Sequence, residues 1–202
     1  GINHMAFYTK FEKKLANGST QDLYPQIHHV GKEGSFGPNW DGCTNHVRYE
    51  ILKRLGYFAT ESSEHFAEYT PWFIKNHQQG LLKDFNIPIN EYIHRCEKQI
   101  QEWDEQEQQL LSNQELVCEK SVEYASRIIL SMVTGKKDLI YGNVLNTNLI
   151  PNLPANSCVE VPCLVKKNEL VPQSVAPLPM HLANLIQTNI NVQQLTVEAL
   201  KT

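Results

Sequence analysis

Residues 138–144, DLIYGNV, and 158–165, CVEVPCLV, decide the fold class. In the stretches 45–55, 89–112 and 121–133 the apolar residues recur at helical spacing. In these two runs the period changes, and β-branched and aromatic residues dominate, as in strands. Asn152-Leu153-Pro154 belongs to the connection between them. Pro162 lies inside the second run and has no N–H to give to a ladder, so an edge, a bulge or a strand break is expected there. Two short strands among long helical stretches predict an α+β fold: several helices with a small mixed or antiparallel sheet.

Outward from these strands, the chain reads mostly as helices. Asn45–Leu55 carries Val47, Ile51, Leu52 and Leu55 on one face, and Gly56 can end the helix. Residues 89–112 form a polar helix with Ile93, Cys96, Ile100, Trp103, Leu110 and Leu111 as its apolar stripe. The Glu/Gln-rich flank 102–109 reads as a solvated face. Ser121–Val133 reads as a better-buried helix closed by Gly135, and Leu182–Leu200 as the last helix, after Pro172, Pro177 and Pro179. Near the start, residues 5–12, MAFYTKFE, read as a strand. Asn17-Gly18-Ser19 is a turn signal, and residues 25–43 read as a long loop.

Composition narrows the function. The chain has 202 residues, 41% hydrophobic and 20% charged, enough apolar material for a core. No apolar run approaches the roughly 18 residues of a membrane span. A net charge of −4 without a basic face argues against nucleic acid. Cysteines at 43, 96, 118, 158 and 163 form no CxxC, so free thiols in a reducing cytoplasm are expected, with Cys158 and Cys163 buried in their strand. No leader pattern opens the chain, and a start at Gly1 leads us to expect a piece of a longer protein. Neither GxGxxG nor GxxxxGK[ST] occurs.

The chemistry concentrates in 57–75, YFATESSEHFAEYTPWFIK. Glu61, Glu64, His65, Glu68 and Tyr69 can supply general acids or bases. Glu64 and Glu68 are four apart and share a helical face. Composition alone favours a solvated face over a catalytic one. Phe66, Tyr69, Trp72 and Phe73 suit either a core or sugar stacking. A tyrosine of ordinary pKa, about 10, is a poor base at neutral pH, so a tyrosine base implies a positive neighbour. His4 is a potential metal ligand and Asn3 can hold a hydroxyl, although a lone histidine is more often structural. Asn189 and Asn191 can cap, bond in the core or touch a ligand.

Together GINHMAFY (1–8), LGYFATESSEHFAEYTPWFIK (55–75), IYGNV (140–144), NLP (152–154), CVEVPCLV (158–165) and LPMHLANLIQTNINVQ (178–193) resemble glycoside hydrolase family 4. Within it they resemble the melibiase-type α-galactosidases. The resemblance runs the whole chain. It implies that residues 1–202 are a C-terminal domain like that of lactate and malate dehydrogenases, with an N-terminal NAD-binding domain absent from this sequence.

It also implies a chemistry outside the usual two-carboxylate scheme. NAD+ oxidises the sugar C3 hydroxyl, which acidifies the C2 proton. A divalent metal such as Mn2+ holds the C2 and C3 oxygens. A base removes the C2 proton, the C1 group leaves, water adds and hydride returns. In the resemblance His4 of GxNH is the metal ligand, Asn3 lines the sugar site and Tyr69 is the base. Glu64 takes the place of the leaving-group acid, with His65 as its rival and a substrate contact. The family's second metal ligand, a cysteine upstream of GxNH, lies outside this sequence. The implied substrate is an unphosphorylated α-galactoside such as melibiose, with an α-glucoside or α-glucuronide as alternatives. The implied setting is a cytoplasmic homo-oligomer of the full-length protein, bound to neither membrane nor nucleic acid. The isolated chain is expected to be inactive, or to serve as a non-catalytic oligomerisation fragment.

Overall fold

A computed structural model describes residues 1–33, 44–112 and 123–201. The elements in order are β1 (Glu12–Lys14), β2 (Thr20–Asp22), α1 (Tyr24–Glu33), α2 (His46–Leu55), α3 (Ser63–Glu68), α4 (Gln79–Asp84), α5 (Glu91–Leu111), α6 (Ala125–Thr134), β3 (Asp138–Leu145), β4 (Cys158–Lys166), β5 (Glu169–Pro172) and α7 (Met180–Lys201). This is the expected α+β mixture, and both sheets are antiparallel. Among the described residues no helix is long and apolar enough to cross a membrane.

The larger sheet has the order β3-β4-β5. Along β4, Val159, Val161, Cys163 and Val165 are buried in alternation, so the strand's even period turns one face to the core. Pro162 does not break the strand. Its carbonyl accepts from Gln173 N–H, so its nitrogen also points to the β5 side of β4. The β5 pairing stops at Cys163↔Pro172, so the missing N–H falls where no ladder bond is needed. Further along that side, Glu160 N–H donates to the Gly1 carbonyl at 2.8 Å. The start of the chain is thereby fastened to the sheet.

The helices cover the core unevenly. Leu182, Ala183, Ile186 and Ile190 of α7 are buried at i, i+4 spacing. Asn152 ties the approach to α7, donating to the Leu178 carbonyl and accepting from its N–H. Buried Asn146 gathers the Ile150, Leu153 and Pro154 carbonyls, which shapes the NLP connection. Gly56 and Gly135 close α2 and α6 in the left-handed conformation, as their positions predict.

Several expectations need correction. The segment 5–12 is no continuous strand: it makes two isolated bridges, Ile2↔Met5 and Phe7↔Ala59, and only residues from Glu12 join β1. Residues 24–33 of the expected loop are helix α1. Pro25 fits there because the N–H groups of a first helical turn have no intrahelical acceptor anyway. Residues 34–43, the start of the expected helix at 121, Cys43 and Cys118 lie outside the described residues. The α5 stripe exists, but it buries nothing. On α6, Ile129, Leu130 and Val133 are exposed, while Ile128 and Met132 pack on the core. Cys163 is buried, whereas Cys158 is exposed. Asn189 and Asn191 bond locally, to Thr188 and Gln187.

Candidate functional site

Two short antiparallel segments build the site. Tyr8 N–H donates to the Phe58 carbonyl and Thr60 N–H to the Ala6 carbonyl, on either side of the Phe7↔Ala59 bridge. In this register Glu61 falls opposite Met5, the neighbour of His4 in the chain. A tight turn, Ile2 N–H to Met5 O and Met5 N–H to Ile2 O, presents His4. His4 takes φ 61°, a left-handed value uncommon for a residue with a side chain. At Gly1 a Cβ would lie 2.5 Å from Ala6 Cα, so the turn packs against backbone that only glycine admits.

Helix α3 supplies the other wall. Ser62 caps it, its hydroxyl accepting from His65 N–H at 3.3 Å. The helix ends at Tyr69, where Thr70 bonds back to the Phe66 carbonyl and Pro71 follows. Phe66 and Ala67 face the core. The aromatics of this stretch divide: Phe66 and Phe73 are core, while Tyr69 and Trp72 remain about 40% exposed.

The structure brings His4, His65 and Tyr69 together. The Tyr69 ring stacks on the His4 imidazole, centroids 5.4 Å apart and planes 6° apart. His65 meets His4 edge-on at 5.0 Å. His4 Nδ1 lies 2.9 Å from Glu61 Oε2, yet it is shielded from water and makes no hydrogen bond. Glu61 Oε1 accepts from Ser62 N–H. His65 Nδ1 lies 3.0 Å from Glu68 Oε2. Asn3 is exposed on the turn beside His4.

Glu64 is placed differently. Its side chain is buried and faces Arg95 of α5, Nη2 to Oε2 3.7 Å. Burial holds its carboxyl above the usual range, and Glu91 adds to the shift, while His65 and Arg95 oppose it. For His65, burial favours the neutral ring, but the Glu68 hydrogen bond and the charges of Glu64, Glu61 and Glu68 outweigh it, so its pKa is raised. Glu160 is raised by burial and, less strongly, by Glu61, while His4 opposes. Carboxylates thus converge on the two imidazoles from α3 and from β4, a field that favours a cation.

A metal fits these residues: a shielded, unpartnered imidazole nitrogen beside a carboxylate is a donor set. Donor atoms of His4, Glu61 and His65 all lie within 4.8 Å of one another. For NAD the chain offers no glycine-rich phosphate loop, and no residue here is assigned to it. Sequence reasoning named Glu61 only among possible acids and bases. Its pairing with His4 depends on a register that residue spacing does not carry. The reach of Arg95 to Glu64, from a separate helix, left no sequence signal.

Residues 1–202 match the C-terminal domain of the family 4 glycosyl hydrolases, and the chain belongs to that family. It is 43% identical over 199 residues to an α-galactosidase of Bacillus subtilis (strain 168), covering 98% of this chain and 44% of that protein. It is 29% identical over 164 residues to an α-galactosidase of Rhizobium meliloti (strain 1021), covering 76% of this chain and 33% of that one. The chain therefore spans under half the length of these relatives. In fold it is similar to Bacillus subtilis lplD, with a TM-score of 0.79 at 18% identity, over 96% of this chain and 45% of that one. It is also similar to a 6-phospho-α-glucosidase from gut microorganisms, solved with NAD and Mn2+, with a TM-score of 0.68 at 15% identity, over 98% and 45%.

Proposed function

We propose that this chain is the sugar- and cation-binding half of an NAD- and Mn2+-dependent α-galactosidase acting on unphosphorylated α-galactosides such as melibiose. The observation that carries this reading is the stack of Tyr69 on His4, two residues far apart in sequence that the proposed reaction needs side by side. The 43% identity to an α-galactosidase supports the choice of sugar over an α-glucoside or α-glucuronide.

In this reading His4 holds the divalent cation, which when bound supplies a fixed positive charge for oxygens of the sugar. Tyr69 accepts the C2 proton. Its partly exposed ring leaves the hydroxyl accessible to a substrate, and Asn3 orients a sugar hydroxyl from the same turn. Glu64 protonates the leaving group, since a buried carboxyl that keeps its proton to higher pH is suited to act as an acid. His65, held by Glu68, contacts the sugar beside it. No redox step is assigned to residues of this chain. That step belongs to an NAD-binding domain, which would also cover the open side of the site and exclude water. The complete protein is then a cytoplasmic homo-oligomer. A second reading, a non-catalytic interaction fragment, draws support from the exposed apolar faces of α5 and α6.

The test uses the protein at its full natural length with NAD and Mn2+, offered aryl α-galactoside, α-glucoside and α-glucuronide. Turnover of the galactoside alone is expected. Cleavage of another sugar without the galactoside refutes the substrate, and no turnover of any refutes the enzymatic reading.

A further inference from the structure

We infer that Glu61 and His65 join His4 as direct donors to the divalent cation, making a three-donor site within this chain. The inference rests on the reading of His4 as a metal residue and extends it to two side chains, of which His65 then reaches the sugar through the ion rather than directly.

Three observations carry it. First, His4 Nδ1 is shielded from water and has no hydrogen-bond partner, although Glu61 Oε2 lies only 2.9 Å away. A nitrogen in that position has lost its water, a desolvation cost that a carboxylate out of hydrogen-bond alignment offsets only in part. An ion between the two atoms removes that cost. Metal–ligand bonds of about 2.1 Å set at right angles place neighbouring donor atoms about 3 Å apart. The observed separation matches such a pair, and the poor hydrogen-bond angle is what adjacent ligands show.

Second, the donor atoms of His4, Glu61 and His65 fall within 4.8 Å of one another. Opposite ligands of one ion are separated by about 4.2 Å, so all three reach a single centre with little movement.

Third, each of the two added donors is held from behind. Ser62 N–H binds the other oxygen of Glu61, leaving Oε2 toward His4. Glu68 binds His65 Nδ1, which fixes the ring and leaves Nε2 as the nitrogen with a lone pair to offer. A carboxylate behind a ligating histidine is the usual outer-shell arrangement at metal sites. Two imidazoles and one carboxylate suit Mn2+ and its neighbours in the first transition row.

The experiment measures Mn2+ affinity by electron paramagnetic resonance of the free ion, in the protein at its full natural length. The parent is compared with Glu61→Gln, His65→Ala and His4→Ala. Visible bands of bound Co2+ report the ligand set independently of activity. Glu61→Gln keeps the shape and the acceptor for Ser62, and thermal melts verify folding. Should it not fold, Glu61→Asp withdraws the carboxylate by one methylene and serves in its place. The expected result is at least a tenfold weaker Mn2+ affinity in both the Glu61 and the His65 variants, with shifted Co2+ bands. Affinity and bands unchanged in the Glu61 or His65 variant, with binding lost in His4→Ala, overturn the inference and leave His4 in place. Unchanged binding in all three variants overturns both this inference and the metal role of His4.

Discussion

Glu64 and Tyr69 stand five residues apart, and their surroundings differ. Glu64 is buried and keeps its proton to a higher pH in the folded chain than in the unfolded one. Stability from this group is therefore fully present at low pH and is lost as pH rises from the ordinary carboxylate range through the raised value. Glu64→Gln escapes that loss. We expect its melting temperature to exceed the parent's at pH 7 and to match it near pH 4, as read by thermal melts at both values. A gain of equal size at both pH values would mean that ionisation of Glu64 is not the cause. In the full-length protein the same variant should lose activity on substrates with poor leaving groups, a stability gain set against function. Tyr69 is half-open and stacked on His4. Tyr69→Phe keeps the stack and removes only the hydroxyl. We expect kcat to fall by about 10²–10⁴-fold, with KM little changed, and exchange of the C2 proton with solvent to cease. Normal exchange in this variant would take Tyr69 out of the mechanism.

Helix α7 shows how one element divides between structure and surface. Its first half carries Leu182, Ile186 and Ile190 into the core, and its second half leaves Leu195 70% and Leu200 82% exposed. Ile186→Ala should cost about 2–5 kcal/mol in denaturant unfolding, because the side chain is wholly enclosed. Leu195→Ala should change stability by less than about 0.5 kcal/mol. A large loss at Leu195 would mean that the second half of α7 is covered by a contact between copies. The existence of this helix was legible from its apolar spacing, and so was its start from the preceding prolines. Which half is buried was not, since the apolar period continues past Ile190 without a change. The α5 stripe shows the same limit. Its apolar positions are regular, yet none of its residues is buried.

At the scale of the whole molecule, the candidate site lies open to solvent. His4, Glu61, His65 and Tyr69 are all partly exposed, and the chain spans under half the length of its relatives. We expect the 202-residue chain alone to bind NAD weakly and to leave aryl α-galactosides intact, measured by fluorescence titration and a chromogenic assay. Activity of the chain by itself would refute the assignment of the redox step to another domain.

The amino-acid sequence by itself determined the α+β class, most of the helices, the strands at 138 and 158, and the residues of the GINH and EHFAEYTPWF segments. These follow from local periodicity, turn chemistry and residue type, which act over a few positions. Only the tertiary structure decided that His4 meets Glu61, that Tyr69 stacks on His4 and that Glu64 turns to Arg95. It also decided that Pro162 turns its nitrogen past the end of the β5 pairing rather than breaking the strand. Those outcomes depend on which segments pair and in what register. The summed burial of Ile2, Met5, Phe7, Ala59 and Phe66 sets that register, and no residue's immediate neighbours contain it.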